Sequence, residues 1–380
     1  MFFNKNEGYD IKLPFVSFSI VCNFLINFYI VSCMIRIFFV IVAVIIFTEC
    51  KDAQKYSAPV FESTTDAKVT VLSALDEVLP MTFNINVSDS LIMLSGPLDD
   101  KLFHTYDRKT GKSVGHYINR GQGPDDMIMP GKFYPDNSGL IVQDMATQAI
   151  KRFDKDWKCM STELIDFGKM ENFSPTNVRP MPDGKVFVEV FIEKFMPLGM
   201  QIKDGNRYGS VYIELPVIIK DPLTGKPYYD RKFHFSPDAK KMIAISSEGL
   251  IIETFDIDEI EIRPKAVKYY YPFELSDMKV NSDGINSMIE YKNLNIKGFG
   301  AIASTDSRIV AVYNDSRDTE AFTDISVWDW NGNPIRRYHT DKILLAIALS
   351  PDNPDEIYAL GSDKGGEVEL LLINCPGLLD

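Results

Sequence analysis

Four histidines, His104, His116, His234 and His339, are the residues of this chain best suited to acid–base or metal chemistry. None of them has a partner at the spacing of a zinc, thiol or serine-nucleophile motif such as HExxH, CxxC or GxSxG. Acidic pairs such as Asp99-Asp100 are common in a chain this rich in Asp and Glu, so each pair is weak evidence for catalysis. We therefore predict no catalytic residue, no metal site and no cofactor, with the histidines at ordinary strand and loop positions.

One short loop differs from the others because it occurs only once. Residues 120–127 read RGQGPDDM, in which two glycines permit a positive φ or a close approach of the backbone, and a proline stiffens the exit. Loops on a rigid scaffold often carry binding residues. The alternative interpretation is that this loop only links two structural units. Together with loops expected on the same face, the residues that we predict to bind a ligand are Arg120, Gln122, Asp125, Asp144 and Arg317.

The composition limits the possible partners. The formal net charge is −13, and 45% of the residues are hydrophobic and 12% aromatic, which is enough to build a core. Nucleic-acid binding depends on clustered Lys and Arg that neutralise phosphates. The acidic balance therefore argues against a nucleic-acid partner.

The apolar side chains are concentrated near the start of the chain. Ile37–Phe47 carries no charged or polar side chain, but its eleven residues are too few to cross a bilayer comfortably, where about 20 are needed. Arg36 precedes this run and Cys50 follows it, an order typical of secretory signals. The segment resembles a bacterial lipoprotein signal, in which such a cysteine is acylated and becomes the first mature residue. We therefore predict residues 1–49 to be a signal segment and Cys50 to be lipidated.

Two further expectations concern this region. Met34 stands where a signal of normal length would begin, so we expect translation to start there. An uncleaved anchor formed by residues 15–47 is the alternative to a lipoprotein signal. Residues 50–67 are polar and lack periodicity, which is typical of a tether. Only Cys159 and Cys375 follow this segment, too few for a disulfide framework or a cysteine metal cluster.

The elements that would position the predicted binding residues come from an internal repeat. Six units each contain an aspartate turn just before a short apolar run, and the turn aspartates are spaced by 47, 47, 55, 68 and 46 residues. In three units an aromatic residue followed by Asp comes 18 residues after the turn aspartate. The six turn aspartates are Asp89, Asp136, Asp183, Asp238, Asp306 and Asp352.

The aromatic–Asp pairs are Tyr106-Asp107, Phe153-Asp154 and Phe255-Asp256, with Trp328-Asp329 in the fifth unit. In the third unit we assign the same role to Lys220-Asp221, because DPLTGK echoes the DRKTGK of the first unit. The repetition favours a structural role in which the carboxylate accepts hydrogen bonds from backbone N–H groups of a turn. Insertions relative to the repeat are expected within residues 191–216 and 314–323.

Each unit is consistent with a four-stranded antiparallel meander. A period of roughly 40 to 50 residues with four strands per repeat is typical of a β-propeller. We therefore predict an all-β fold, a six-bladed β-propeller over residues 68–380. Closure is required because an open last blade exposes a sheet edge. The sixth unit has no room for a fourth strand, so residues 68–75 are predicted to complete it.

Two stretches resemble a known family. Residues 127–154 are similar to NHL-type repeats, and RGQGPDDM is similar to the Gly-x-Gly-Pro-Gly-Glu loop of TolB-like six-bladed propeller lipoproteins from Gram-negative gut anaerobes. Asp125 and Asp126 stand where that family has Gly and Glu. The resemblance implies a lipid-anchored domain of the cell envelope, in the outer membrane or periplasm.

From these features we expect a binding or interaction module whose partner is a small molecule, a glycan, a peptide or an envelope protein. One alternative is a propeller-type lyase or hydrolase with its site at the central mouth, which clustering of His116 or His234 with acids would favour. The other is a scaffold subunit, which a broad exposed apolar patch would favour.

Overall fold

All the regular elements that a computed structural model of the chain describes are β-strands. No helix in this part of the chain is long and apolar enough to cross a membrane. The structure describes the following residues: 56–75, 84–98, 100–135, 139–147, 149–164, 173–192, 198–205, 207–213, 219–220, 227–228, 231–246, 249–272, 278–282, 287–291, 296–316, 321–363 and 365–380.

The strands are numbered along the chain, and each four-stranded antiparallel sheet is called a blade. Two strands precede the first blade: β1 (Ser63–Asp66) and β2 (Lys68–Ala74). Blade one contains β3 (Asn84–Val87), β4 (Leu91–Leu98), β5 (Lys101–Asp107) and β6 (Ser113–Asn119). Blade two contains β7 (Pro130–Pro135), β8 (Gly139–Asp144), β9 (Ala149–Asp154) and β10 (Cys159–Leu164). Blade three contains β11 (Phe173–Pro180), β12 (Val186–Ile192), β13 (Leu198–Asp204) and β14 (Arg207–Ile213).

A hairpin of β15 (Ile219–Lys220) and β16 (Pro227–Tyr228) follows blade three. Blade four contains β17 (Arg231–Phe235), β18 (Lys241–Ser246), β19 (Leu250–Asp258) and β20 (Glu261–Tyr271). A second hairpin, of β21 (Met278–Ser282) and β22 (Ser287–Tyr291), follows it. Blade five contains β23 (Gly298–Ser304), β24 (Arg308–Asn314), β25 (Asp324–Asp329) and β26 (Pro334–His339). Blade six is built from β27 (Ile343–Leu349), β28 (Glu356–Ser362), β29 (Val368–Asn374) and the early strand β2.

The six-bladed β-propeller predicted from the repeat is confirmed. Six sheets have four antiparallel strands each, paired in chain order except in blade six. The turn aspartates lie between the first and second strands of their blades, apart from Asp136, which is outside the described residues. The repeat therefore marks the same turn in the five blades whose turn aspartate is described.

The N-terminal strand closes the ring, as predicted. β2 pairs antiparallel with β29, from Lys68 opposite Asn374 to Ala74 opposite Glu369. A buried arginine adds a second link between blades one and six. Arg108 donates to the hydroxyl of Tyr358 at 2.9 Å and to a carboxylate oxygen of Asp352 at 3.1 Å. The two ends of the propeller chain thus meet in a backbone ladder within blade six, and side chains join blade six to blade one.

The end of the predicted tether is part of the propeller. β1 pairs in parallel with β26, from Ser63 opposite Arg336 to Asp66 opposite His339, and forms a fifth strand of blade five. Just before it, the Phe61 ring meets the Trp328 ring edge-on with centroids 5.4 Å apart. Residues 56–67 therefore differ from the predicted tether. A polar sequence can still pair along the open edge of a sheet.

The core consists of apolar layers between neighbouring blades. In β18, Met242 and Ala244 belong to a buried cluster shared with blade three, whereas Ile243 and Ile245 belong to one shared with blade five. Successive side chains of a strand point to opposite faces of the sheet. A strand covered on both faces is therefore apolar at every position, which is why the second strand of a unit lacks alternation.

The aromatic–Asp pairs have the predicted turn role in three blades. Asp107 accepts a hydrogen bond from the Thr110 N–H at 2.8 Å. The carboxylates of Asp154 and Asp329 each accept two backbone N–H groups two and four residues further on, at 2.8 to 2.9 Å. Asp256 differs, because β19 continues beyond it to Asp258.

Two predictions for the third unit are wrong. Lys220 lies in the hairpin β15–β16, and the third strand of blade three is Leu198–Asp204. Much of the insertion assigned to residues 191–216 is therefore the regular pair β13–β14. The extra residues lie in the two hairpins instead, and the second of these, Met278–Tyr291, falls within the long interval after Asp238. The insertion predicted in the fifth unit, within residues 314–323, corresponds to the connection between β24 and β25.

Candidate functional site

The loop that joins blades one and two is held in a compact form. Gly121 donates its N–H to the Met127 carbonyl at 2.9 Å, and Gly123 donates to a carboxylate oxygen of Asp126 at 3.0 Å. A Cβ atom on either glycine would stand 2.6 Å from that same oxygen. The Asp126 carboxylate therefore approaches both glycines closely, and neither glycine has a positive φ.

Two predicted ligand-binding carboxylates hold this loop in place. Asp144 is buried and accepts backbone N–H groups from Ile128 and Met129, both at 3.2 Å. Asp125 accepts the Cys159 N–H at 2.8 Å and so ties the loop to blade two. Arg120 and Gln122 are exposed on the loop. The structure thus places Asp125 and Asp144 at the loop of residues 120–127, where both carboxylates accept hydrogen bonds from backbone N–H groups.

Two predicted residues, Cys50 and Arg317, lie outside the described residues. The four histidines all lie in strands. His104 and His116 face each other across β5 and β6 with their Nδ1 atoms 2.6 Å apart, and His339 Nδ1 lies 2.6 Å from a carboxylate oxygen of Asp324. Within the described residues, no group of three or more His, Cys, Asp or Glu could hold a metal ion.

A central cavity of about 380 Å³ is lined by residues from all six blades. Its walls are the first strands of five blades, with Pro182 from blade three. Several lining residues, such as Pro135 and Pro237, lie at or next to the aspartate turns. The cavity therefore lies towards the ends at which the first strands turn into the second.

One position recurs around this cavity. The residue four places before each turn aspartate borders the cavity in five blades, and in blade three the same position is Arg179. We call these six positions the cavity ring; in blade order they are Ile85, Lys132, Arg179, His234, Ile302 and Ala348. Blades two to four supply basic side chains, and blades five, six and one supply apolar ones. The ring is therefore basic on one side and apolar on the other.

The basic side chains of the ring influence one another. Burial lowers the pKa of Lys132 to about 8, and the positive charges of Arg179 and Lys232 act in the same direction. Burial, with the charges of Lys132 and Arg179, lowers the pKa of His234 to about 3. Burial also raises the pKa of Tyr134 to about 12, against the effect of Arg179. At neutral pH the imidazole and the phenol are therefore uncharged.

Side chains of the first strands tie blade three to blade four and blade four to blade five around the cavity. Arg179 donates to the Phe233 carbonyl at 3.2 Å, and Lys232 donates to the Phe299 carbonyl at 3.1 Å. The Nε2 atom of His234 lies 2.8 Å from the hydroxyl oxygen of Ser304. These links hold the cavity walls of blades three, four and five in fixed positions.

Lys132 differs from its neighbours in the ring. Among the described residues, no hydrogen bond or ion pair is made by its ammonium group, and none by the hydroxyl of Tyr134. Within the described residues, neither His116 nor His234 is hydrogen-bonded to a carboxylate. The clustering of histidine with acids that would favour an enzyme is therefore not observed among those residues. The arrangement can donate hydrogen bonds to a bound molecule and place positive charge beside it.

The cavity ring and the predicted loop are separate because an antiparallel meander turns at alternate ends. Connections between blades, including the loop at Arg120, lie at the end opposite the aspartate turns, whereas the cavity lies towards those turns. None of Arg120, Gln122, Asp125 and Asp144 lines the cavity. The sequence contained a signal for the ring, since its residues keep a constant distance from the turn aspartate.

A scan of protein-family models found no match to this chain, and no curated protein sequence matches it. Solved structures with a similar chain path include a luciferin-regenerating enzyme, with 10% sequence identity over 82% of this chain and 96% of that chain and a TM-score of 0.47. A DUF4221 family member from Bacteroides vulgatus has 10% identity over 82% of this chain and 98% of that chain, with a TM-score of 0.47. The β-propeller domain of Cps50 (Swd1) from Myceliophteria thermophila has 9% identity, coverages of 81% and 99%, and a TM-score of 0.43.

Proposed function

We propose that this protein is a ligand-binding module of the bacterial cell envelope, with the central cavity as its binding site and a small molecule as its ligand. The supporting observation is that Lys132 and Tyr134 line the cavity, while the ammonium group of one and the hydroxyl of the other make no hydrogen bond to the described residues. A site whose walls are already fixed loses little entropy on binding. A cavity of about 380 Å³ also lies within the usual range for small-molecule sites.

Filling the cavity tests this proposal. Ala348 lines it and belongs to the blade-six wall, so Ala348→Phe should occupy ligand space. Wild type and variant are dialysed against a deproteinised metabolite extract of bacterial cells, and bound molecules are identified by mass spectrometry. We expect at least one metabolite to be enriched by wild type and not by the variant. A cooperative thermal transition controls for folding of the variant, and identical enrichment by both proteins would count against the cavity.

The envelope location rests on the start of the sequence. The apolar run Ile37–Phe47 followed by Cys50 supports a lipoprotein signal, and the RGQGPDDM loop supports a relationship to TolB-like propeller lipoproteins. In the loop, Asp126 approaches two glycines closely, and it stands where that family has glutamate. Radiolabelled palmitate should be incorporated into wild type and not into Cys50→Ala. Equal labelling of the two proteins would remove the anchor from the proposal.

A further inference from the structure

Lys132 is the only lysine among the described residues that line the central cavity, and it lies on β7. Its nitrogen makes no hydrogen bond or ion pair with a described residue. The neighbouring Lys232 of blade four, in contrast, donates to the Phe299 carbonyl at 3.1 Å. The Lys132 nitrogen is therefore available to a molecule that enters the cavity, whereas the Lys232 nitrogen is held by the protein.

The surroundings of Lys132 favour its neutral amine form. Burial lowers its pKa to about 8, and the positive charges of Arg179 and Lys232 act in the same direction. The other titratable groups that face this region are His234 and Tyr134, both uncharged at neutral pH. About a tenth of Lys132 is therefore unprotonated at about pH 7, against about 1 in 2,500 for an ordinary lysine with a pKa of about 10.4. Desolvated lysines close to other cations are the ones that react with carbonyl groups.

The rest of the cavity wall suits an apolar carbonyl compound. Apolar side chains from blades one, five and six line the cavity, among them Ile85, Ile302 and Leu349. Tyr134 follows Lys132 on β7 and lines the same cavity. Burial raises the pKa of this phenol to about 12, so at neutral pH its hydroxyl is protonated and can donate a hydrogen bond to a carbonyl oxygen.

We propose that the central cavity binds a small aldehyde with an apolar body, and that Lys132 holds this aldehyde as an imine. The inference rests on the proposed function, because it names the class of ligand for the same site. The lone pair of the lysine nitrogen attacks the carbonyl carbon, and a proton passes from the nitrogen to the oxygen. The resulting carbinolamine loses water and leaves a C=N bond. One amine and one aldehyde thus give one imine and one water, without an oxidant or a reductant, and hydrolysis reverses the step.

Reductive trapping tests the imine directly. The purified full chain is incubated at about pH 7 with benzaldehyde and cyanoborohydride, which reduces an imine to a stable secondary amine. Peptide mapping by mass spectrometry then gives the initial rate of benzylation at each lysine. We expect Lys132 to react about tenfold or more faster than Lys109, an exposed lysine on the turn after β5. The excess of unprotonated amine sets an upper limit of about 200-fold on this ratio.

Variants and a control without reductant assign the reaction to the cavity. Lys132→Met should lose the fast site, whereas the matched control Lys109→Met should keep it. Lys132→Gln replaces Lys132→Met if the latter does not unfold cooperatively. Ala348→Phe should slow the reaction at Lys132, because the new ring occupies the cavity. Without cyanoborohydride, dialysis should return unmodified protein. Trapping in a deproteinised extract of bacterial cells should add to Lys132 a group whose mass identifies the natural aldehyde.

The outcomes separate the two proposals. Equal rates at Lys132 and Lys109, or no modification of Lys132, would overturn the imine. If Ala348→Phe still abolishes the enrichment of a metabolite in that case, the binding function stands although the ligand class is wrong. Fast modification of Lys132 that Ala348→Phe slows supports both proposals. Fast modification that Ala348→Phe leaves unchanged would place the aldehyde outside the cavity and overturn the inference.

Discussion

Removal of β2 should destroy the closed ring. The strand pairs six of its residues with β29, and its Val69 and Leu72 are partly buried against blade six and its neighbours. Ladder hydrogen bonds contribute about 1 kcal/mol each, and the two apolar side chains about 1 kcal/mol each. The total, roughly 6 to 8 kcal/mol, is comparable to the whole stability of a typical domain, about 5 to 15 kcal/mol. A chain that starts at Asp76 should therefore lose its cooperative unfolding transition.

The matched control is a chain that starts at Ala67, which lacks β1 and retains β2. β1 is exposed along its length, so this chain should keep a single cooperative transition at a lower temperature. Calorimetry and near-ultraviolet circular dichroism measure both chains. A synthetic peptide of residues 67–75 should restore cooperativity to the shorter one. The reasoning is refuted if both truncated chains melt cooperatively at the same temperature.

Three further predictions concern carboxylate side chains. Asp144→Ala removes the acceptor of three backbone N–H groups. Chemical denaturation should therefore show a free energy of unfolding lower by about 2 to 3 kcal/mol, with faster proteolysis near residue 128. Unchanged stability would contradict the role of this carboxylate. Glu253→Ala removes the carboxylate 3.0 Å from the buried guanidinium of Arg231 and should lower the free energy of unfolding by about 3 to 5 kcal/mol. The double variant Arg231→Met, Glu253→Leu should recover most of this loss, and a double variant as unstable as the single one would argue against a buried pair. Burial raises the pKa of Asp329, but hydrogen bonds from Asn333 and Asn331 outweigh it and leave the pKa below its usual value, so its stabilisation is present above about pH 4 and is lost as the pH falls through the lowered pKa. Denaturant titrations between about pH 5 and about pH 2 should show a shallower loss of stability for Asp329→Asn than for wild type, and parallel curves would oppose this assignment.

The sequence predicted the architecture because each blade repeats a local signal. The aspartate turn and the apolar second strand are set by short-range chemistry, and both recur along the chain. The role given to Lys220-Asp221 failed because a similar turn motif, DPLTGK, does not determine which strands pair. Pairing in blade three is decided by the strands β12, β13 and β14, whose residues precede that motif.

The binding site was predicted less well than the fold. The loop at Arg120 was chosen for its unusual glycines, and those glycines accommodate the Asp126 carboxylate. Lys132 and Arg179 look unremarkable in the sequence because a single basic residue in a strand is normally a solvated one. Their meaning depends on the closed ring, which brings together residues that are about one repeat apart. Aligning the units on their turn aspartates would have revealed the division into basic and apolar halves.

The pairing of β2 with β29 also determines when the chain can finish folding. Lys68 and Asn374 lie at opposite ends of the propeller sequence, so β2, which is synthesised early, must wait for β29. Contacts between residues so distant in sequence slow folding, because a long loop must close before they form. An emerging polypeptide can therefore assemble its middle blades early, but the sixth stays incomplete until β29 has been synthesised.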